Sequence, residues 1–272
     1  MEITSVSVFH FSPTGSSERI ANRLAASLST RVEEFDLSAQ TLARHSVSGK
    51  SLAIVAVPVY RGRVPARAVE AIRLISGNGA YCVSLVVYGN RAYEDALIEL
   101  NDLLTERGFR VFSSAAFIAQ HSIIEEIAAG RPDAQDFAVL NDFAASIHDA
   151  FFSERFNCPP EVPGNRPYIE SPSQPITPLA TEACDACGSC ARGCPVSAIP
   201  KDDPKQTDSQ KCILCMRCIR QCPSKARILP PPYREAVATR LGYRNIVSFY
   251  RVLHRANCGD LVDKLTKHEG RI

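Results

Sequence analysis

Eight of the eleven cysteines in this 272-residue chain fall into two runs, CDACGSCARGCP at 184–195 and CILCMRCIRQCP at 212–223. Cys184, Cys187, Cys190 and Cys194 recur 28 residues later as Cys212, Cys215, Cys218 and Cys222. Pro195 recurs as Pro223 and Ala198 as Ala226, so the segment duplicates the spacing C-x2-C-x2-C-x3-C-P. A [4Fe–4S] cube needs one thiolate for each iron. Three cysteines spaced by two residues wrap a turn of backbone around three corners and bring N–H groups near the sulfides, whose negative charge they offset. The fourth cysteine, before the proline, points away from its own turn and completes the other cube. The spacing therefore assigns Cys184, Cys187, Cys190 and Cys222 to one cluster, and Cys212, Cys215, Cys218 and Cys194 to a second. Zinc is the competing ion for sets of four cysteines, but zinc pairs come as two CxxC knuckles separated by a longer loop.

Three cysteines stand outside this ladder. Cys82 lies in an apolar run and reads as core, and Cys158 and Cys258 read as bystanders. The start MEITSVSVFHF has no basic region followed by a long apolar run, and no stretch of ~18 apolar residues occurs. A soluble cytoplasmic protein without membrane insertion is expected, where this many cysteines serve metal or redox chemistry in preference to disulfides.

A second set of chemically useful residues opens the chain. FSPTGSSE follows an apolar run and precedes a helical pattern, so Ser12, Thr14, Ser16 and Ser17 offer hydroxyls and Gly15 a close turn at a helix start. The N–H groups and dipole at such a start suit an anion. The Lys of a phosphate-binding P-loop and the GxGxxG fingerprint are both absent. Two further loops, PVYRGRVP at 58–65 and YGNRAYED at 88–95, follow later apolar runs.

These loops need a frame. Apolar runs at VSVFHF, EEFDL, SLAIVAVPVY, YCVSLVVYG and FRVFSSAAFIAQ read as five strands. Helical spacing lies between them and after the last, as in Leu97, Leu100 and Leu104 ahead of Gly108. This alternation predicts an α/β fold, a doubly wound five-stranded parallel sheet over residues 1–155, with ligands bound at the carboxyl ends of its strands. Residues 156–180 hold seven prolines and read as an extended linker, strapped across a surface or free to swing. The cysteine module spans 181–230 as a small α+β domain, and 231–272 is expected to form a helical C-terminal extension.

The eight-cysteine ladder resembles a bacterial two-cluster ferredoxin domain over residues 182–230. Residues 1–155 resemble flavodoxin, whose phosphate pattern S/T-x-T-G-x-S/T matches at Ser12, Thr14, Gly15 and Ser17. The resemblance implies FMN, its ring held by the second and third loops. Pro58, Val59, Tyr60, Arg61 and Gly62 would lie on one side. Tyr88, Gly89, Asn90, Arg91, Tyr93 and Asp95 would lie near the other, with Tyr60 or Tyr93 stacked on the flavin. Small flavodoxins often place a Trp and acidic residues beside the ring. This chain has no Trp, and Arg61, Arg63 and Arg91 flank the site instead. Positive charge there favours an anionic reduced flavin and a raised potential. Together the two parts resemble flavodoxin–ferredoxin fusion proteins of anaerobic microbes over residues 1–230.

The leading expectation is an electron-transfer flavoprotein carrying FMN and two [4Fe–4S] clusters between redox protein partners. FMN takes two electrons and passes them singly; each cluster carries one. One alternative is a reductase acting on a nicotinamide or a small organic substrate with the clusters as relay. Another is an iron–sulfur protein whose front domain only docks a partner. His10, His121 and Glu125 lie near strand ends and read as structural. Net charge is +2, which excludes an obvious nucleic-acid binder. Residues 1–155 carry 14 basic against 18 acidic residues, a net −4, and residues 231–272 carry 8 against 4, a net +4. A homodimer is compatible with this reading.

Overall fold

A computed structural model describes residues 3–49, 51–154, 159–171, 176–241, 248–257 and 260–268, the last two stretches by backbone alone. Cys158 and Cys258 lie outside the described residues. The five expected strands form as β1 (Val6–His10), β2 (Val32–Asp36), β3 (Leu52–Pro58), β4 (Tyr81–Tyr88) and β5 (Arg110–Ile118). They pair in parallel in the order β2-β1-β3-β4-β5, the doubly wound order with its switch point between β1 and β3. Strands β1, β3, β4 and β5 are buried almost throughout, as β-branched apolar runs covered on both faces must be. β2 stays exposed and charged at the sheet edge, which discourages pairing with another chain.

Four helices cover the sheet: α1 (Ser16–Leu28), α2 (Ala66–Ile72), α3 (Ala96–Glu106) and α4 (Ala134–Phe152). Each buries one apolar stripe: Ile20, Leu24 and Leu28 from α1, and Leu140, Phe143 and Ile147 from α4. Helix α4 starts on a reciprocal cap in which Asp133 accepts from the Asp136 N–H and Asp136 from the Asp133 N–H. Cys82 is fully buried in β4, as core.

Within the proline-rich segment, residues 165–169 form a strap on α3. The Asn165 and Ile169 N–H groups donate to Asp95 at 2.8 and 2.7 Å. Arg166 grips Asp102 through two nitrogens, Tyr168 Oη donates to the same carboxylate at 2.5 Å, and Arg63 lies over the Tyr168 ring at 4.8 Å. The strap therefore orders itself by charge and side-chain bonds where its prolines forbid ladder pairing.

The cysteine module carries two short helices, α5 (Ser189–Gly193) and α6 (Arg217–Arg220), and a two-rung antiparallel ladder of Leu179–Ala180 with Arg227–Ile228. Its backbone repeats the duplication seen in the sequence. Left-handed residues fall 28 apart at Ala186 and Leu214, Gly188 and Met216, and Ser197 and Lys225.

The expectation of a helical tail holds only for α7 (Pro231–Arg240). Beyond it β6 (Ser248–Asn257) and β7 (Asp260–His268) form an antiparallel pair, and β6 joins β5 antiparallel, widening the sheet to seven strands. The physical reason is twofold. Phe249, Tyr250 and Val252 have strand-favouring side chains, and β5 would otherwise leave a row of unpaired backbone groups at the sheet edge.

Candidate functional site

The three sequence loops meet at the carboxyl ends of β1, β3 and β4, around a cavity of ≈ 480 Å³. That volume falls within the roughly 300–1,000 Å³ of ligand pockets. In the first loop Gly15 caps α1 at φ 89°, a left-handed conformation that a side chain would strain. Its N–H donates to the Ser12 carbonyl at 3.2 Å, and Ser12 Oγ accepts from the Glu18 N–H at 3.0 Å. Ser12, Thr14, Ser16 and Ser17 line the cavity, so hydroxyls and the α1 N-terminus face one end of it. Gly15 itself supplies the turn and does not line the cavity.

Pro58, Val59, Tyr60, Arg61 and Gly62 form a second wall. Tyr60 and Arg63 exchange backbone hydrogen bonds of 3.0 and 3.2 Å around Arg61 (φ 52°) and Gly62 (φ 79°), the signs of a type I′ turn. A Cβ on Gly62 would come within 2.6 Å of Ile169 Cδ1, so the strap is seated directly on this turn. Arg63 does not flank the cavity as expected. It grips Glu99 through two nitrogens at 2.7 and 2.8 Å and donates to the Ile169 carbonyl at 2.7 Å, so its charge is spent on the fold.

From the third loop Tyr88, Gly89 and Arg91 line the cavity, and Arg91 pairs with Glu94. Asn90, Tyr93 and Asp95 do not. Tyr93 packs edge-on against Tyr88 at 5.5 Å, Asn90 is buried in a left-handed turn (φ 59°), and Asp95 is the acceptor that holds the strap. Tyr60 is thus the one of the two expected stacking tyrosines that reaches the cavity.

Four segments of the wall escaped the sequence reading: Gln120–Ile123 after β5, Ile169–Ser171 of the strap, Ile213 and Leu214 of the second cysteine run, and Tyr233, Val237, Arg240 and Leu241 at α7. Only the first carried a usable signal, its position after the fifth strand. His121 lines the cavity with Nδ1 accepting from the Ile123 and Ile124 N–H groups at 3.2 and 3.0 Å, which leaves the proton of the neutral ring on Nε2. Burial lowers its pKa to about 4. As pH falls, the unfolded chain gains this proton near pH ~6.5 and the folded chain only near 4. The stability His121 contributes is complete above pH ~6.5 and is lost as pH falls through the folded pKa. An NMR titration is expected to show no protonation of this ring above about pH 5. A midpoint near the ordinary histidine value would contradict the burial.

The cysteine module abuts the cavity. Besides the lining by Ile213 and Leu214, burial drives the Tyr60 pKa upward, with Cys215 and Cys212 close enough to add to the rise. Burial likewise pushes Cys215 and Cys218 up to about 12, and Cys194 and Cys212 are electrostatic neighbours of both. Cys194, from the first run, therefore lies near the cysteines of the second, as Cys190 does near Cys218. The two proline-preceding cysteines occupy matching settings: the Ala198 N–H points at Cys194 Sγ (3.2 Å) and the Ala226 N–H at Cys222 Sγ (3.3 Å). Among the described residues, no group of three or more His, Cys, Asp or Glu is placed to hold a single metal ion. A cube spreads its ligands around four irons instead.

Side chains lock the module to the sheet. Arg217 Nη1 donates to Ser38 Oγ at 2.6 Å, and Gln40 Nε2 donates to the Ala191 carbonyl at 2.7 Å. Arg220 reaches Glu125 at 3.5 Å, and Arg234 of α7 reaches Glu126 at 2.5 and 2.7 Å.

Compared with known protein families, residues 183–232 match the 4Fe-4S dicluster domain. No curated protein matches the chain. Among solved structures, the rubredoxin oxygen:oxidoreductase of Desulfovibrio gigas is similar at 17% identity and a TM-score of 0.41, over 56% of this chain and 37% of its own. A flavodoxin of Streptococcus pneumoniae TIGR4 is similar at 18% identity and a TM-score of 0.37, over 52% of this chain and 96% of its own. The Fusobacterium nucleatum flavodoxin bound to flavin mononucleotide gives 14% identity and a TM-score of 0.38, over 54% of this chain and 98% of its own. The chain therefore joins a doubly wound α/β sheet, in the strand order 2-1-3-4-5, to a 4Fe–4S dicluster domain.

Proposed function

We propose that the protein transfers electrons between FMN and two [4Fe–4S] clusters, linking redox partner proteins. The observation that carries this reading is the shared wall: Ile213 and Leu214, between the cysteines of the second run, line the same cavity as the hydroxyl loop and Tyr60. When bound, FMN supplies two-electron chemistry and each cluster one-electron chemistry. The residues fit such groups. Ser12, Thr14, Ser16 and Ser17 cradle a phosphate at the α1 N-terminus. Tyr60 and Tyr88 offer aromatic faces to a planar ring. Arg61 and Arg240 bring positive charge to the cavity, with Arg63 and Arg91 neutralised by Glu99 and Glu94. Cys184, Cys187, Cys190 and Cys222 hold one cluster, and Cys212, Cys215, Cys218 and Cys194 the other. No helix among the described residues is long and apolar enough to cross a membrane.

Elemental and flavin analysis of anaerobically purified protein tests the reading. The expected content is about eight irons, eight sulfides and one FMN per chain, with zinc substoichiometric. Eight irons without flavin would leave a docking scaffold, and two zinc ions in place of iron would end the electron-transfer reading altogether. Flavin bleaching by NADH or NADPH is expected to match the rate of free-flavin controls.

A further inference from the structure

We infer that electrons enter and leave the protein at the turn of Cys184–Cys187, where a small one-electron carrier protein docks, and that the cluster of Cys194, Cys212, Cys215 and Cys218 is an inner relay to the flavin. The inference rests on the function proposed above and orders its parts. The two cysteine sets are alike in sequence but not in setting. The inner set touches the cavity through Ile213, Leu214 and Tyr60, and Cys194 and Cys215 are buried. Of the eight ligand cysteines Cys187 alone is exposed, with Ala183, Asp185 and Ala186 exposed around it.

The second observation concerns what surrounds that turn. Leu179 and Ile228 face each other across the short ladder that leads into Cys184 and out of Cys222. They are 51% and 39% exposed, two of the few large apolar side chains left in water. Exposed Glu182 and Lys225 each lie three residues from one of them in the chain, and exposed Asp185 lies in the Cys184–Cys187 turn. An apolar pair with a charged rim, next to an exposed cluster ligand, has the anatomy of a small, transient protein contact. The flavin cavity, by contrast, is walled in part by the strap, the second cysteine run and α7.

The electrons balance as follows. Each carrier molecule is oxidised by one electron, which reduces the outer cluster and then the inner one. Two such transfers, with one proton from water, reduce FMN to its anionic hydroquinone; outward flow reverses every step. In this order the flavin is the store and the exposed turn is the port.

The first test is EPR of the anaerobic holoprotein, both clusters reduced, titrated with a soluble dysprosium chelate. The signal that broadens first is expected to be the one whose g values move in Cys187→Ser, while the signal that moves in Cys215→Ser persists. The reverse order would overturn the inference. An Ala183→Trp variant, which touches no ligand, keeps the question open to measurement if either serine variant fails to assemble. Its flavin should be reduced on the order of tenfold more slowly by a reduced bacterial two-cluster ferredoxin, and at the parent rate by dithionite. Unchanged reduction by the ferredoxin would overturn the port. Iron without flavin would instead defeat the functional reading while leaving the two EPR signals to report which cluster faces solvent.

Discussion

Replacing Cys194 by alanine is expected to remove the cluster bound by Cys212, Cys215 and Cys218 and to leave the other in place. Iron and sulfide should fall by about half. Cys194 lies in the first cysteine run, so a reading in which each run holds its own cube predicts the opposite loss. Two structural features support the proposed crossing. α5 ends at Gly193, and the next residue leaves in an extended conformation (φ −72°, ψ 113°), which carries the Cys194 thiol off its own turn. The Ala198 N–H then points at that sulfur, and the three second-run cysteines are its electrostatic neighbours. EPR of the reduced variant should retain one cluster signal. Cys222→Ala is the mirror experiment and should spare the Cys212–Cys218 set. Selective loss of the Cys184–Cys190 cluster in Cys194→Ala would refute the assignment.

The second large effect is expected from Arg227→Met. Arg227 is 2% exposed, and it directs its guanidinium at the carbonyls of Pro178, Pro204 and Gln206 and at Thr207 Oγ. Those groups belong to the segment that joins the two cysteine runs and to the strand before the first. A buried charge donating to four acceptors costs more to remove than any one bond suggests, because the buried Pro178 and Pro204 carbonyls lose a charged donor that water cannot readily replace. Methionine keeps much of the volume and none of the donors, so the loss should be about 3–5 kcal/mol. Arg227 also lies close enough to Cys212 and Cys218 to draw their thiols toward ionisation, against the larger upward push of burial. Denaturation of the iron-loaded protein, followed at the cluster absorbance, should show an earlier midpoint and faster iron release. An unchanged midpoint would mean that the carbonyls find other donors.

Much of this protein can be read from its residues in order. The cysteine ladder is a local pattern, because the turn that wraps a cube is written in the spacing itself. Its backbone signature repeats at 28 residues just as its cysteines do. The strands were equally legible, since a run buried on both faces, such as LAIVAVP, needs no knowledge of its neighbours to be recognised. The hydroxyl loop could be placed because it follows a strand and opens a helix. Harder cases depend on partners distant in sequence. Arg63, Arg91 and Asp95 look alike as charged loop residues. Only Glu99, Glu94 and the backbone of Asn165 and Ile169 show that two are neutralised and one anchors a strap. The tail misled for the same reason: its apolar and basic residues fit a helix alone, whereas the open edge of β5 takes them as a strand.

The sequence by itself therefore determined the parts: a doubly wound sheet, a hydroxyl-rich loop at a helix start, and eight cysteines in a duplicated 4Fe–4S ladder. These follow from short-range periodicity and spacing, which act within a turn, a strand or a helix. The tertiary structure decided how the parts meet. It seats the second cysteine run against the cavity, places the strap and α7 in its wall, and leaves Cys187 of the first run facing water. Those contacts join residues more than a hundred positions apart, such as Arg217 and Ser38 or Gln40 and Ala191. No local pattern encodes them, because each half of such a pair is an ordinary surface side chain until folding brings its partner within hydrogen-bonding reach.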